Sequence, residues 1–185
     1  MTDKEMTTRT SKFLSLILRH EPERVGLKLD ETGWVGVGDL LRAMSRQGTT
    51  LTLEQLERIV ATSDKQRFAF SDDHVRIRAN QGHSVEVDLR YPPRTPPEFL
   101  YHGTAKRFLE EIRQEGLRKM GRHDVHLAAT TEITLQVGGR HGKPVLLAIR
   151  SGAMHRAGHV FCQSANGVWL VNHVPPEFIE FPATI

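Results

Sequence analysis

The chain is poor in the residues that usually announce a scaffold or a familiar catalytic site. Among 185 residues there is one cysteine, Cys162, which excludes an internal disulfide, a zinc ribbon and a Cys-x-x-Cys redox motif and suits a reducing compartment. Long apolar runs are missing as well. The stretch 13–18 is too short for a secretory leader, and nothing approaches the ~20 residues that span a bilayer, so a soluble, cytoplasmic protein is expected. Gly33, Gly36 and Gly38 do not follow the dinucleotide-binding order. The glycine-rich loop 138–143 fails as a P-loop because Pro144, not Ser or Thr, follows Lys143. His155 and His159 are four apart, but no glutamate adjoins His155, so the zinc-protease motif is missing and no metal site is expected. No serine sits in a nucleophile elbow.

Charge of either sign is not in large excess. The formal net charge is +3, while a pI of about 9.2 and ten histidines lean mildly toward anionic partners such as phosphates or nucleic acid. Hydrophobic residues make up 38% of the chain, enough for packed cores, and the length allows one large domain or two small ones.

In chain order, residues 1–10 are polar and expected to fray. From Ser11, Phe13, Leu14, Ile17 and Leu18 line one helical face, and Pro22 forces the helix to end near Glu21. Arg19 and His20 therefore fall at a helix C-terminus, where a cation complements the dipole and where the pair could equally grip a phosphate. Residues 26–36 read as a loop with a short strand carrying Trp34. A helix over 37–47 follows, with Leu40, Leu41 and Met44 inward and Gly48 as its stop. Thr52 and Gln55 have capping-box form at the head of a third helix, whose core face is Leu53, Leu56, Ile59 and Val60. Residues 67–78 alternate around Ser71-Asp72-Asp73 and read as a hairpin. Three helices and a terminal hairpin outline a winged helix.

Tyr91-Pro92-Pro93-Arg94-Thr95-Pro96-Pro97 is a stiff, extended connector. It divides the chain into a lobe at 1–90, a linker at 91–97 and a lobe at 98–185. The second lobe predicts a strand at 99–101, a helix at 105–115 stopping at Gly116, a strand at 126–128 and a helix from Thr131. An apolar strand at 144–149 and strands at 160–161, 167–171 and 178–181 complete a mostly antiparallel domain. The fold class expected is α+β.

The stretch 76–84 carries the first chemical signal. Arg76 and Arg78 alternate with Val75 and Ile77, the strand breaks at Asn80-Gln81-Gly82, and His83 and Ser84 arrive at its end. Taken alone, an ordinary turn with exposed polar residues explains it equally well. The wider set tips the balance: Arg19-His20, Arg78, His83-Ser84, His102-Gly103-Thr104 and Arg140 are phosphate-friendly groups at element ends. Arginine forks match phosphate oxygens bidentately, and a neighbouring histidine can donate or accept a proton.

At these residues the chain closely resembles the NAD-dependent RNA 2′-phosphotransferase (tRNA 2′-phosphotransferase) family. The resemblance rests on Leu14-Ser15-Leu16-Ile17-Leu18-Arg19-His20, Arg78-Ala79-Asn80-Gln81-Gly82-His83-Ser84 and Leu100-Tyr101-His102-Gly103-Thr104. It continues through Val125-His126-Leu127, Val137-Gly138-Gly139-Arg140-His141-Gly142-Lys143-Pro144 and Asn166-Gly167-Val168-Trp169-Leu170. One departure is Ala128, where a serine is expected after His126-Leu127.

The resemblance implies a winged-helix RNA-binding lobe followed by an NAD lobe related to ADP-ribosyltransferases. It implies attack of an internal RNA 2′-phosphate on the nicotinamide-ribose carbon of NAD, expelling nicotinamide and giving 2′-phospho-ADP-ribosylated RNA. The ribose O2″ then attacks the phosphorus, leaving 2′-hydroxyl RNA and ADP-ribose 1″,2″-cyclic phosphate. The family's catalytic set falls on Arg19, His20, Arg78 and Arg140, which suit charge developing on a transferring phosphate. The implied NAD contacts are His83, Ser84, His102, Gly103, Thr104 and His126. The implied partners are NAD and a tRNA-like RNA bearing a 2′-phosphate, met by a monomer. Two rivals stay open: an ADP-ribosyltransferase acting on another acceptor, such as a terminal nucleic-acid phosphate or a protein, and a non-enzymatic winged-helix regulator. The regulator would need the third helix to read a groove, yet that helix carries Glu54, Glu57 and only Arg58 as a cation.

Overall fold

Pro22 decides where the first helix stops. In the computed structural model, which describes residues 3–63, 65–131 and 144–182, helix α1 runs Asp3–Arg19. It closes with the His20 and Glu21 amides both donating to Leu16 O, at 2.9 and 3.0 Å. Pro22 then opens a 3₁₀ turn, Pro22–Val25, which Gly26 ends at φ 70°. At its other end α1 is longer than expected: residues 3–10, expected to fray, are helical. Thr10 is 5% exposed and continues the buried stripe of Leu14, Ile17 and Leu18 one turn further, so a single buried position anchors a turn whose composition is otherwise polar.

The chain divides into two compact units, Met1–Arg90 and Tyr91–Ile185. In the first, strand β1 (Val35–Gly36) leads directly into α2 (Val37–Arg46), followed by α3 (Leu53–Ala61). The capping box predicted at Thr52 is present: the Gln55 amide donates to Thr52 Oγ1 at 3.2 Å, and the Thr52 amide donates to Gln55 Oε1 at 2.9 Å. Such a cap contributes roughly 1 kcal/mol. Strands β2 (Phe68–Phe70) and β3 (Arg76–Ala79) form the predicted hairpin. Strand β1 pairs with the other side of β3, giving the antiparallel order β1-β3-β2. The apolar faces of the three helices meet Phe68 and Ile77 in one core.

The second unit is built on β4 (Leu100–Ala105) and β7 (Pro144–Ile149), antiparallel from Leu100 opposite Ile149 to Ala105 opposite Pro144, with β11 (Ile179–Glu180) on the far side of β7. A second sheet sets β6 (Val125–Leu127), β9 (Trp169–Val171) and β8 (Phe161–Gln163) in the order β6-β9-β8. The two sheets are joined where the Tyr101 and Ala128 amides donate to each other's carbonyls, at 2.8 and 2.9 Å. A short pair, β5 (Leu117–Arg118) with β10 (His173–Val174), follows α4 (Leu109–Glu115). Gly116 joins α4 to β5 at φ 74°, where a Cβ would overlap Val174 O. All strand pairs among the described residues are antiparallel, and the mixed helix and sheet content is that of an α+β protein.

Three sequence expectations shift here. The strand at 99–101 extends to Ala105 because the apolar β7 offers a continuous partner, and the helix expected from Ala105 starts at Leu109 after a 3₁₀ turn, Lys106–Phe108. The proline-rich segment is paired rather than merely extended. Pro93 bridges Cys162, the Arg94 amide donates to Phe161 O at 2.7 Å, and the Arg94 guanidinium donates to the Gln163 side-chain carbonyl. Proline is tolerated beside a sheet because an edge position needs no donor on its outer side. A short helix, α5 (Ser151–Arg156), was not anticipated. Ser151 Oγ donates to Pro97 O at 2.7 Å, and the Arg156 fork meets Glu98 at 2.7 and 3.1 Å. The helix expected from Thr131 and the loop 138–143 lie outside the described residues. No helix among the described residues is long and apolar enough to cross a membrane.

Candidate active site

The end of α1 and the turn after β3 are clasped by backbone. Gly82 takes φ 87°, a conformation glycine adopts without Cβ strain, and the chain then folds back onto the helix. The Ser84 and Val85 amides both donate to Arg19 O, at 2.9 and 3.3 Å, satisfying a carbonyl that a helix end leaves without an intrahelical donor. This clasp sets His20 Nδ1 2.9 Å from Ser84 Oγ. His20 and Ser84, 64 apart in sequence, thus share one junction with Arg19. His83, expected as an NAD contact, is 2% exposed and packs beside Gly33. A Cβ on Gly33, itself at φ 82°, would stand 3.4 Å from His83 Nε2 and 3.3 Å from Leu89 Cδ2.

Gly33 belongs to the turn that holds Arg78. Asp30 Oδ1 accepts from the Thr32 amide at 2.8 Å, from Thr32 Oγ1 at 2.9 Å and from the Trp34 amide at 2.9 Å. Burial pushes the Asp30 carboxyl up, but these donors and the Arg76 guanidinium together hold it below its ordinary value. The turn presents Thr32 O to Arg78, which donates to it at 3.3 Å. It also lays the Trp34 ring under the Arg78 guanidinium, 4.6 Å from the ring centroid. Sequence reasoning selected Arg78 but not the Asp30–Thr32–Trp34 turn that orients it. The structure supplies what the sequence could not: Val35 opposite Ile77 places Trp34 beside Arg78.

In the second unit the chemistry is of another kind. His102 lies in β4 opposite Leu147, and its Nδ1–H donates to His126 O at 3.1 Å. Burial pushes the imidazole pKa down against that hydrogen bond, and Arg122 pushes the same way, so His102 is held neutral with Nε2 as an acceptor. Arg122 donates to His126 Nδ1 at 3.1 Å, which puts the His126 proton on Nε2. His102 and Thr104 open on a cleft of about 210 Å³ walled by Phe108, Leu117 and Met120. The cleft is mostly apolar, with Glu111 and Arg118 completing its lining beside His102 and Thr104. Gly103 pairs in register with Leu146. The Ala128 departure falls where the bridge to Tyr101 is made by main chain alone. Arg140 lies outside the described residues. Among those described, no cluster of three or more His, Cys, Asp or Glu is placed to hold a metal.

A family model described as RNA 2′-phosphotransferase, Tpt1/KptA family, matches residues 5–173. The chain belongs to that family. Among curated relatives, a protein of Streptomyces coelicolor named "Probable RNA 2′-phosphotransferase" is 54% identical over 180 residues, covering 97% of this chain and 98% of its own length. Proteins of the same name from Flavobacterium johnsoniae, 50% identical over 92% of this chain and 94% of theirs, and from Burkholderia pseudomallei, 49% identical over 96% of both, agree. The resemblance read from the sequence motifs is borne out, and the match spans both structural units.

Proposed function

We propose that this member of the RNA 2′-phosphotransferase family removes an internal RNA 2′-phosphate by transferring it to NAD, yielding 2′-hydroxyl RNA, ADP-ribose 1″,2″-cyclic phosphate and nicotinamide. One observation carries the assignment of residues: the clasp of Ser84 and Val85 on Arg19 O, which sets an Arg-His pair beside a serine hydroxyl at a helix end. In this reading Arg19 and Arg78 bind the 2′-phosphate and meet the charge of its transition state, with Arg140 as a third guanidinium. His20, oriented by Ser84, contacts the phosphate or moves its proton. The nucleophile arrives already anionic, so no carboxylate base is required.

NAD supplies the electrophilic ribose carbon and the nicotinamide leaving group. The cleft beside His102 and Thr104 is assigned to one of its rings: it is mostly apolar, its histidine is held neutral, and Glu111 and Arg118 complete its lining. His102 Nε2 offers an acceptor there, and Gly103 leaves the strand backbone open to close approach. His126 supports His102 through its carbonyl. The order helix, strand, helix, helix, strand, strand in the first unit supports a winged-helix RNA lobe, and the paired antiparallel sheets of the second support an ADP-ribosyltransferase-like lobe. The reading extends to a tRNA-like substrate and a cytoplasmic monomer.

The test is incubation with an RNA oligonucleotide carrying one internal 2′-phosphate, with and without NAD. NAD-dependent loss of the phosphate with release of ADP-ribose cyclic phosphate is expected. ADP-ribose attached elsewhere, with the 2′-phosphate retained, would replace this reading by an ADP-ribosyltransferase acting on another acceptor.

A further inference from the structure

The solvent face of the small sheet in the first unit continues away from Arg78. The register places Trp34, Arg78 and Ala69 in one row across the three strands, and Gly36, Arg76 and Ser71 in the next. Side chains two apart on a strand share a face, so Arg76 and Arg78 rise side by side from the central strand, with Ala69 leaving one flank low and the Asp39 carboxylate standing over Gly36, 2.8 Å from where a Cβ would lie. The result is a groove of about 510 Å³ with Trp34 as a wall and both guanidiniums within it. Trp34 serves both cations, with Arg76 5.5 Å and Arg78 4.6 Å from its centroid. Arg76 is half-exposed, and its nearest carboxylate, Asp30 Oδ2, stands 3.8 Å away, a loose surface pair of little energetic worth. Asp72 and Asp73 close the far end. Asp73 is turned onto its own loop, accepting from Ser71 Oγ at 2.6 Å and from the Val75 amide at 3.1 Å. The groove is therefore cationic where it meets Arg78 and anionic at the hairpin tip.

We infer that this groove carries the RNA strand flanking the 2′-phosphorylated nucleotide, with Arg76 binding a backbone phosphate next to the one held by Arg78. The inference rests on the proposed role of Arg78. If Arg78 holds a 2′-phosphate, the adjoining strand must leave along some surface. The groove offers a second cation one row away on the same strand, at the ~7 Å repeat that alternate strand residues share, beside the position proposed for the 2′-phosphate. The low flank at Ala69 admits a sugar-phosphate chain, and the carboxylates at the tip direct it away from the hairpin end.

The experiment compares two substrates, a 2′-phosphorylated dinucleotide and a ten-nucleotide RNA with one internal 2′-phosphate, in wild type, Arg76→Ala and Arg76→Lys. Arg76→Ala is expected to raise KM for the longer RNA about tenfold, equivalent to about 1.4 kcal/mol. It should shift the dinucleotide's KM less than about twofold and lower the salt slope for the longer RNA by about 0.7, one phosphate contact on a single strand. Arg76→Lys should recover most of the affinity. Equal effects on both substrates, or no effect on either, overturn the groove while leaving the phosphotransferase reading intact. No turnover of either RNA by wild type would overturn both.

Discussion

His20 and His102 show how differently the two units treat the same residue type. His20 follows a helix end, half-buried, with an arginine before it and a hydroxyl 2.9 Å from its Nδ1. His102 lies inside a strand, gives its Nδ1–H to a main-chain carbonyl, and is kept uncharged by burial and by the nearby Arg122. The first unit sets its histidine beside an arginine and a serine hydroxyl at a helix end. The second removes charge from its histidine and lines the adjoining cleft with Phe108, Leu117 and Met120. Environment, not residue identity, sets the chemistry: in the function proposed above, the first unit meets the phosphate and the second a ring of the dinucleotide.

The comparison breaks most decisively at Arg78. Replacing it with Ala should lower kcat/KM on 2′-phosphorylated RNA by roughly 10²–10³-fold while NAD affinity, measured by calorimetry, stays within about twofold. A variant that loses NAD binding to the same degree would erase the division of labour. Gly116→Ala should act on the other unit. Its φ of 74° and the overlap with Val174 O predict a cost of about 2–4 kcal/mol, seen as a lowered melting transition for residues 91–185 with that of residues 1–90 unmoved. A single shared shift would mean that the units melt together.

Ser84→Ala removes the hydroxyl partner of His20 but keeps the main-chain clasp. A loss of about tenfold in kcat, the worth of roughly one hydrogen bond, is expected with unchanged stability. An unaffected kcat would show that His20 needs no orienting partner. The smallest effect concerns acid. Because His102 is held below the ordinary histidine value of about 6.5, the folded protein binds fewer protons there than the unfolded chain. Its contribution to stability is therefore complete above that pH and lost as pH falls toward the folded value. His102→Gln should shrink the drop in melting temperature between pH 7.5 and pH 5.5. A drop equal to that of wild type would show that His102 is not the group responsible.

What the sequence made legible was local. Thr52 with Gln55, Gly48 after α2, Pro22 after α1 and the alternation around Ser71-Asp72-Asp73 each specify an element within a few residues, and each is found where expected. Features depending on distant partners were harder to read. Four prolines at 92–97 look like a spacer until Phe161 O and Cys162 are seen beside them. The Asp30 turn looks like an ordinary loop until Arg78, 46 residues later, is found donating to Thr32 O. The catalytic candidates themselves came from motifs, which name residues without naming what holds them. Asp30 and Trp34 stood outside those motifs and were passed over.

The joint between the two sheets of the second unit has a mechanical consequence. Tyr101 and Ala128 exchange two main-chain hydrogen bonds, and one residue further along β4 His102 reaches back to His126 O. Tyr101, His102, His126, Leu127 and Ala128 therefore form a closed truss of five residues braced by three hydrogen bonds. His102 and Tyr101 are thus tied to both sheets through main-chain partners, and His102 cannot turn without breaking its bond to His126 O. The frame also uses no side-chain atom of residue 128, which is why alanine serves there without weakening it.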